Sequence, residues 1–294
     1  ILENFDSDVV IFHEDRTRNE WTHNTTIKDT MRNDGINANI VSFLLSRAVA
    51  VRQGNAQVSN KCLEVLSLFI SWVDISLVVP QETISLLYSA LGDGELWGGA
   101  CLCLTETVKK GMPPNQKLDL LRSIGVLDVL HTTITSTASL DEDLALALGP
   151  LVDAVYGELL DVWAACEKSA EFRPLIPQAA EALHRTMTCV LPLFRHTNFD
   201  VALTLTPSLN RFAQLLKTQS KSSDVSLKGA FNAQGYLSDF LGTVYQQLQY
   251  ENDFTFDGED EDDCQVIEVS HRRCISCPYI RHCCLLFVCS FVRL

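Results

Sequence analysis

The chain has 294 residues, 47% of them hydrophobic, with 37 acidic against 23 basic side chains and a formal charge of -14. That is ample apolar material for a large core, but a net acidic chain disfavours non-specific attachment to nucleic acid, whose affinity comes largely from neutralised phosphates. No run approaches the roughly 20 apolar residues that span a bilayer, so no membrane insertion is expected. The charge is uneven: residues 1–250 carry -9, residues 251–263 carry -8 and residues 264–294 carry +3. The chain begins at Ile1 without a basic or apolar leader, so a non-secreted protein and a place inside a longer chain are expected.

Residues 1–22 are polar and mixed and read as the end of one helix plus a loop. A short helix is expected over Thr25 to Asp34 and a longer one over Ile36 to Gln53. The next segment has two apolar sides. Val58, Cys62, Val65, Phe69 and Trp72 recur at helical spacing, and Leu63, Leu66 and Ile70 form a second side. Gln57, Asn60, Lys61, Glu64, Ser67 and Ser71 form one polar strip between them. A surface helix of a compact domain shows a single apolar face. Stacked helical hairpins supply burial on two, because each helix meets its own partner and its neighbouring repeats.

A turn over Val73 to Val79 leads to Pro80 at a helix start, a Gly92-Asp93-Gly94 turn, another helix and a stop at Gly111. Pro113 and Pro114 open a helix to Ile124, and Val126 to Thr135 follows. Ser139 and Glu142 have capping-box spacing before a helix carried by Leu144, Leu148, Leu151, Val155, Leu159 and Val162. Pro150 should bend or break it. Pro177 opens a helix through Leu193 with a kink at Pro192, and Val201 to Lys217 and Val225 to Tyr250 are the last segments. No stretch alternates with period two. The fold class is therefore all-α, an α-solenoid of HEAT-like helical hairpins of about 40–47 residues each.

Little in the sequence points to catalysis. Gly92, Gly94, Gly98 and Gly99 superficially resemble a nucleotide loop but lack the preceding strand and a Gly-Lys-Ser/Thr end. Asp253, Thr255, Asp257 and Gly258 match the first positions of a calcium loop, yet Cys264 stands where the bidentate Glu is needed. Asn24 opens a glycosylation sequon that a non-secreted chain would not use. The histidines are scattered, so neither an enzyme nor a cofactor is expected. Lys109, Lys110, Lys117, Arg122, Lys217, Lys221 and Lys228 are the candidate contacts for a polyanion on one face of the stack, the alternative being ordinary solvated helix ends. Asp257, Glu259, Asp260 and Glu261 in the acidic loop 251–263 are either a solvated loop or a contact for a basic partner.

At Cys264 the composition changes. Six of eleven cysteines fall in the last 31 residues, and helical periodicity fades. Residues 264–294 are read as a Cys-rich tail outside the 1–263 helical region. The other readings are a zinc site at Cys274 and Cys277 with His282, Cys283 or Cys284, and a disulfide cluster. The other five cysteines sit at apolar helix positions, as small core residues do.

The wording of residues 62–79, CLEVLSLFISWVDISLVV, and 86–112, LLYSALGDGELWGGACLCLTETVKKGM, resembles the transfer-RNA exportins (exportin-T) of the importin-β, or karyopherin, superfamily. His23 to Arg32 and the acidic stretch YENDFTFDGEDEDD (250–263) extend the resemblance to roughly residues 1–263. It implies a nuclear export receptor that wraps Ran-GTP together with mature transfer RNA, passes nuclear pore proteins and shuttles between nucleus and cytoplasm. It also implies Ran-binding repeats upstream of Ile1 and further repeats downstream. The rival is a HEAT or armadillo scaffold that binds only proteins: a basic face favours the carrier, a neutral or apolar groove the scaffold.

Overall fold

A computed structural model describes residues 1–10, 17–136, 140–221, 235, 236, 238–240, 242 and 243. Among them there is no strand. The helices are α1 (Leu2–Phe5), α2 (Arg18–Asn33), α3 (Ile36–Val51), α4 (Ala56–Ile70), α5 (Gln81–Leu91), α6 (Trp97–Val108), α7 (Pro114–Ile124), α8 (Val126–Thr135), α9 (Glu142–Lys168), α10 (Ile176–Phe194), α11 (Phe199–Thr204) and α12 (Thr206–Lys221). A π-helical turn, Asp6–Val10, follows α1. The chain is an all-α, HEAT-like solenoid.

Two layers result. Helices α4, α6, α9 and α12 pack in sequence, and the first three also meet a helix of the other layer: α3 on α4, α5 on α6, α7 on α9. Helix α10 packs on α8 and α9. The two apolar sides of α4 are thus used as expected. Leu63, Leu66, Phe69 and Ile70 are buried. On the side of Cys62, Val65, Phe69 and Trp72, Phe5 of α1 stacks on Phe69 at 6.3 Å between ring centres and leans on Trp72 at the same distance. Trp72 lies beyond the helix end and is half-buried, packed against the core. Val58, assigned to that side by its spacing, is exposed, because α1 is only four residues long and covers the other end of α4. Ser67, expected on the polar strip, is buried, and its hydroxyl donates back to the Glu64 carbonyl at 2.7 Å.

Local signals place most boundaries. Thr17 and Glu20 form a reciprocal capping box, so α2 starts seven residues before the expected Thr25. Pro80 precedes α5, and Gly125, at φ 68°, divides α7 from α8. The cap of α9 is Asp141, which accepts from the Asp143 and Leu144 amides; Ser139 of the expected box lies outside the described residues. Pro150 does not break α9, which runs unbroken for 27 residues. Its ring lies on an exposed face, and the buried Leu144, Leu148, Leu151, Val152 and Val155 hold both halves in line. The expected single helix over Val201 to Lys217 is divided instead at Leu205. Pro207 supplies no amide for the Leu203 carbonyl, so the ladder restarts there. First-layer helices begin at Ile36, Gln81, Pro114 and Ile176, intervals of 45, 33 and 62 residues rather than an even 40–47. The long α9 opposite a divided α7 and α8 accounts for the widest.

Helices α4 and α6 touch closely because Gly99 has no side chain. Its amide donates to Asn60 Oδ1 at 2.8 Å, and a Cβ there would lie 2.6 Å from Leu63 Cβ. The segments Val225 to Tyr250 and 264–294, with their helix, zinc and disulfide readings, lie wholly or largely outside the described residues. Within the described ones, Cys101, Cys103, Cys166 and Cys189 are buried and Cys62 half-buried. Burial pushes the Cys101 thiol up to about 12 and that of Cys189 to about 11, so neither is a ready nucleophile.

Phe69→Ala is expected to cost about 3–5 kcal/mol in urea denaturation, and Trp72→Ala less because its ring is only half-buried. A loss below about 1 kcal/mol for Phe69→Ala would contradict its place in the core. Gly99→Ala should cost about 1–3 kcal/mol through overpacking. Gly98→Ala, whose Cβ would meet nothing nearer than 4.0 Å, is the neutral control in the same assay.

Candidate partner-binding surfaces

The basic run after α6 does not form an outward patch. Lys109 is exposed and paired with Glu106 at 3.4 Å, one turn back on α6. Lys110 turns its ammonium onto the Val73 carbonyl at 2.6 Å. Burial pushes it below the usual lysine range, against the pull of Asp74 and Glu106. Lys117 is only 2% exposed. Its Nζ donates to the carbonyls of Val108 (2.5 Å) and Lys110 (2.6 Å) and pairs with Glu158 of α9 at 2.7 Å. The ammonium of Lys117 is therefore inside the protein and unable to meet a polyanion, a correction to its sequence assignment. The physical cause is the end of α6, whose carbonyls lack helical partners and need donors.

Arg122 is exposed at the end of α7, paired with Asp119 at 3.6 Å and donating to Gln178 at 3.1 Å. Lys217 is half-buried on α12, and Lys221 closes that helix. Lys228, Asp257, Glu259, Asp260 and Glu261 lie outside the described residues. The structure thus brings Lys109, Lys110 and Lys117 around one loop and leaves Arg122 one helix away.

Three further cations missed from the sequence join neighbouring hairpins. Arg52 pairs with Asp93 at 3.0 Å and also donates to the Ser89 carbonyl at 3.1 Å. Arg185 pairs with Asp128, and Arg211 with Asp161 at 2.5 Å. Their separations of 41, 57 and 50 residues gave no local signal. On the outer side of α4, Lys61 bridges Glu3 at 2.6 Å and Glu64 at 3.1 Å. Lys61, Lys109, Lys110, Lys117, Arg52, Arg122, Arg185 and Arg211 each meet a carboxylate or carbonyl of their own chain.

The first layer carries an open groove of about 650 Å³ between α3 and α5. Val41, Leu45, Val49, Leu77, Pro80 and Leu86 make it apolar, with Glu82 as its one charged lining residue. Helix α3 carries apolar residues on its exposed side as well as its buried one, and Phe43 and Val49 are more than half exposed. A smaller hollow between α7, α8 and α10 has a leucine floor (Leu118, Leu121, Leu127) and a rim of Arg122, Asp128, Glu181 and Arg185. Among the described residues no group of three or more His, Cys, Asp or Glu is placed to hold a metal ion, and no helix is long and apolar enough to cross a membrane.

A stack of unequal helical hairpins held by inter-hairpin ion pairs is an architecture that many unrelated sequences share, so sequence comparison decides the relationship. The family model described as Exportin 1-like protein matches residues 1–104. Exportin-T of Homo sapiens is 27% identical over 270 residues, 91% of this chain and 27% of that protein. The chain is similar to exportin-T. The Mus musculus exportin-T is 28% identical over 83% of the chain, and that of Dictyostelium discoideum 28% over 54%. The chain spans about a quarter of the length of the human and mouse exportin-T it matches. The resemblance read from residues 62–112 therefore holds for a segment of the longer protein.

Lys117→Ala should cost about 3–5 kcal/mol, because it leaves Glu158 and two carbonyls unpaired in a largely buried site. Lys109→Ala, whose pair is exposed, should change stability by less than about 0.5 kcal/mol. Equal effects in thermal or urea unfolding would show that both lysines stand in solvent.

Proposed function

We propose that the chain is a segment of a nuclear export receptor for transfer RNA that binds its cargo together with Ran-GTP. The observation that carries this reading is the similarity to exportin-T over nine-tenths of the chain, joined to a HEAT-like solenoid. The receptor is a carrier rather than an enzyme and works in nucleus and cytoplasm, passing nuclear pore proteins on the way. Transfer RNA and Ran-GTP each favour one curvature of the stack, so each raises the affinity of the other. Folded RNA suits recognition by shape and backbone, since its deep groove is closed to side chains.

Lys109, Arg122, Lys217, Lys221 and Lys228 are the proposed phosphate contacts within this segment, and Asp257, Glu259, Asp260 and Glu261 the proposed contacts for a basic partner. Lys109 and Arg122 already hold carboxylates, so a phosphate must displace Glu106 or Asp119. Those exposed pairs cost little to break; it is the net charge of -14 that makes this segment a weak RNA site by itself and places the burden on cooperation. The same neutralised cations, with the apolar α3–α5 groove, favour a second reading in which this segment binds protein only.

With the chain restored to full receptor length, transfer RNA should bind about 5- to 150-fold more tightly when Ran-GTP is present. Ran-GTP should gain the same factor from transfer RNA, and the RNA affinity should fall as salt rises. Filter binding at fixed salt that returns one RNA affinity with and without Ran-GTP would overturn the carrier reading in favour of the protein scaffold.

A further inference from the structure

Lys110, in the loop between α6 and α7, and Lys117, on α7, are joined end to end. Glu158 on α9 holds the Lys117 ammonium; Lys117 holds the backbone carbonyl of Lys110; and the Lys110 side chain reaches the Val73 carbonyl at the end of α4. Each link is a charge-assisted hydrogen bond in a shielded site, the strong kind. Glu158 is the one member of the series on α9, and it is still 23% exposed, open to a partner cation.

The far end of the series matters because of where Val73 leads. The turn after it, which includes the short 3₁₀ helix Ile75–Leu77, connects the second layer to the first. Ser76, Leu77 and Pro80 of that turn form one wall of the α3–α5 groove. The turn is held by few bonds: Leu77 N–H to the Asp74 carbonyl, and Val78 and Val79 N–H to that of Ile75. Asp74 caps it by accepting from the Ser76 amide at 2.8 Å. Buried Val73 and Val78 seat the turn in the core, and Lys110, from the next hairpin, adds a side-chain bond at its start.

We propose that Lys117 and Lys110 form a conformational relay that couples the Glu158 carboxylate on α9 to the turn walling the α3–α5 groove. A partner cation that takes Glu158 frees Lys117, slackens the Lys110 backbone and loosens the wall of a groove in the other layer. The coupling belongs to the fold and is independent of which cargo the chain carries.

Hydrogen exchange on the full chain, read at Leu77, Val78 and Val79, tests it. Glu158→Gln and Lys110→Met should each speed exchange there by about tenfold, with the buried amides of α5 unchanged, and Lys117→Met should speed it at least as much. Because the groups act in series, Lys110→Met combined with Glu158→Gln should give no more than Lys110→Met alone. Faster exchange confined to residues 108–113, with the turn unmoved, overturns the relay, and so do effects that multiply in the double variant. Should Lys117→Met fail to fold, the Glu158→Gln and Lys110→Met pair makes the same comparison, with circular dichroism confirming that both are folded.

Discussion

The constraint on which the rest depends is that second-layer helices must bury two sides at once. Helix α4 meets α3 on one flank and α6 on another, and α9 is enclosed by α6, α7, α10 and α12. Apolar burial stabilises by roughly 25 cal/mol per Å², so a helix with two such sides is costly to leave at a surface. Its neighbours are therefore obligatory. Close approach follows from the same demand: Gly99 lets α6 lie against Asn60 and Leu63, and Gly149 lets α9 lie against Thr204. The architecture is a sum of neighbour contacts rather than a single centre, as in other repeat proteins.

Charge plays a different part. Lys117 satisfies carbonyls that α6 leaves open, and Arg52, Arg185 and Arg211 cross from one hairpin to the next. The exposed pairs among them contribute little stability one by one, but they fix which side chains remain available to a partner. For this reason a count of lysines and arginines overstates how basic the surface is. The -14 balance is only part of that effect.

Much of the fold was legible in the sequence. Pro80, Gly125, Pro114 and the two-sided pattern of α4 each acted through local backbone preference or spacing, which a single chain displays directly. What was hidden depended on distant partners. Val58 has the right spacing for burial but lacks a neighbour above it, and Pro150 is tolerated because buried leucines on both sides outweigh a lost hydrogen bond. The candidate site was less legible for the same reason. Lys117 looks like any solvated helix residue until the end of α6 and Glu158 are brought to it from nine and 41 residues away. Pro207 carried a local signal, a missing amide inside an apolar run, that fixes the division between α11 and α12.

Helix α9 has a consequence for how such a chain can vary in length. Its 27 residues, about 40 Å of continuous helix, touch both layers along their course. Adding or removing one residue within it would turn everything beyond by about 100° and shift it by about 1.5 Å. Tyr156 and Trp163 would leave the core, and Asp161 would swing away from Arg211. Substitutions along α9 are thus graded in their effects, whereas a single-residue insertion or deletion is all-or-none. The loops on either side of it, which no such register governs, are where this chain can change length freely.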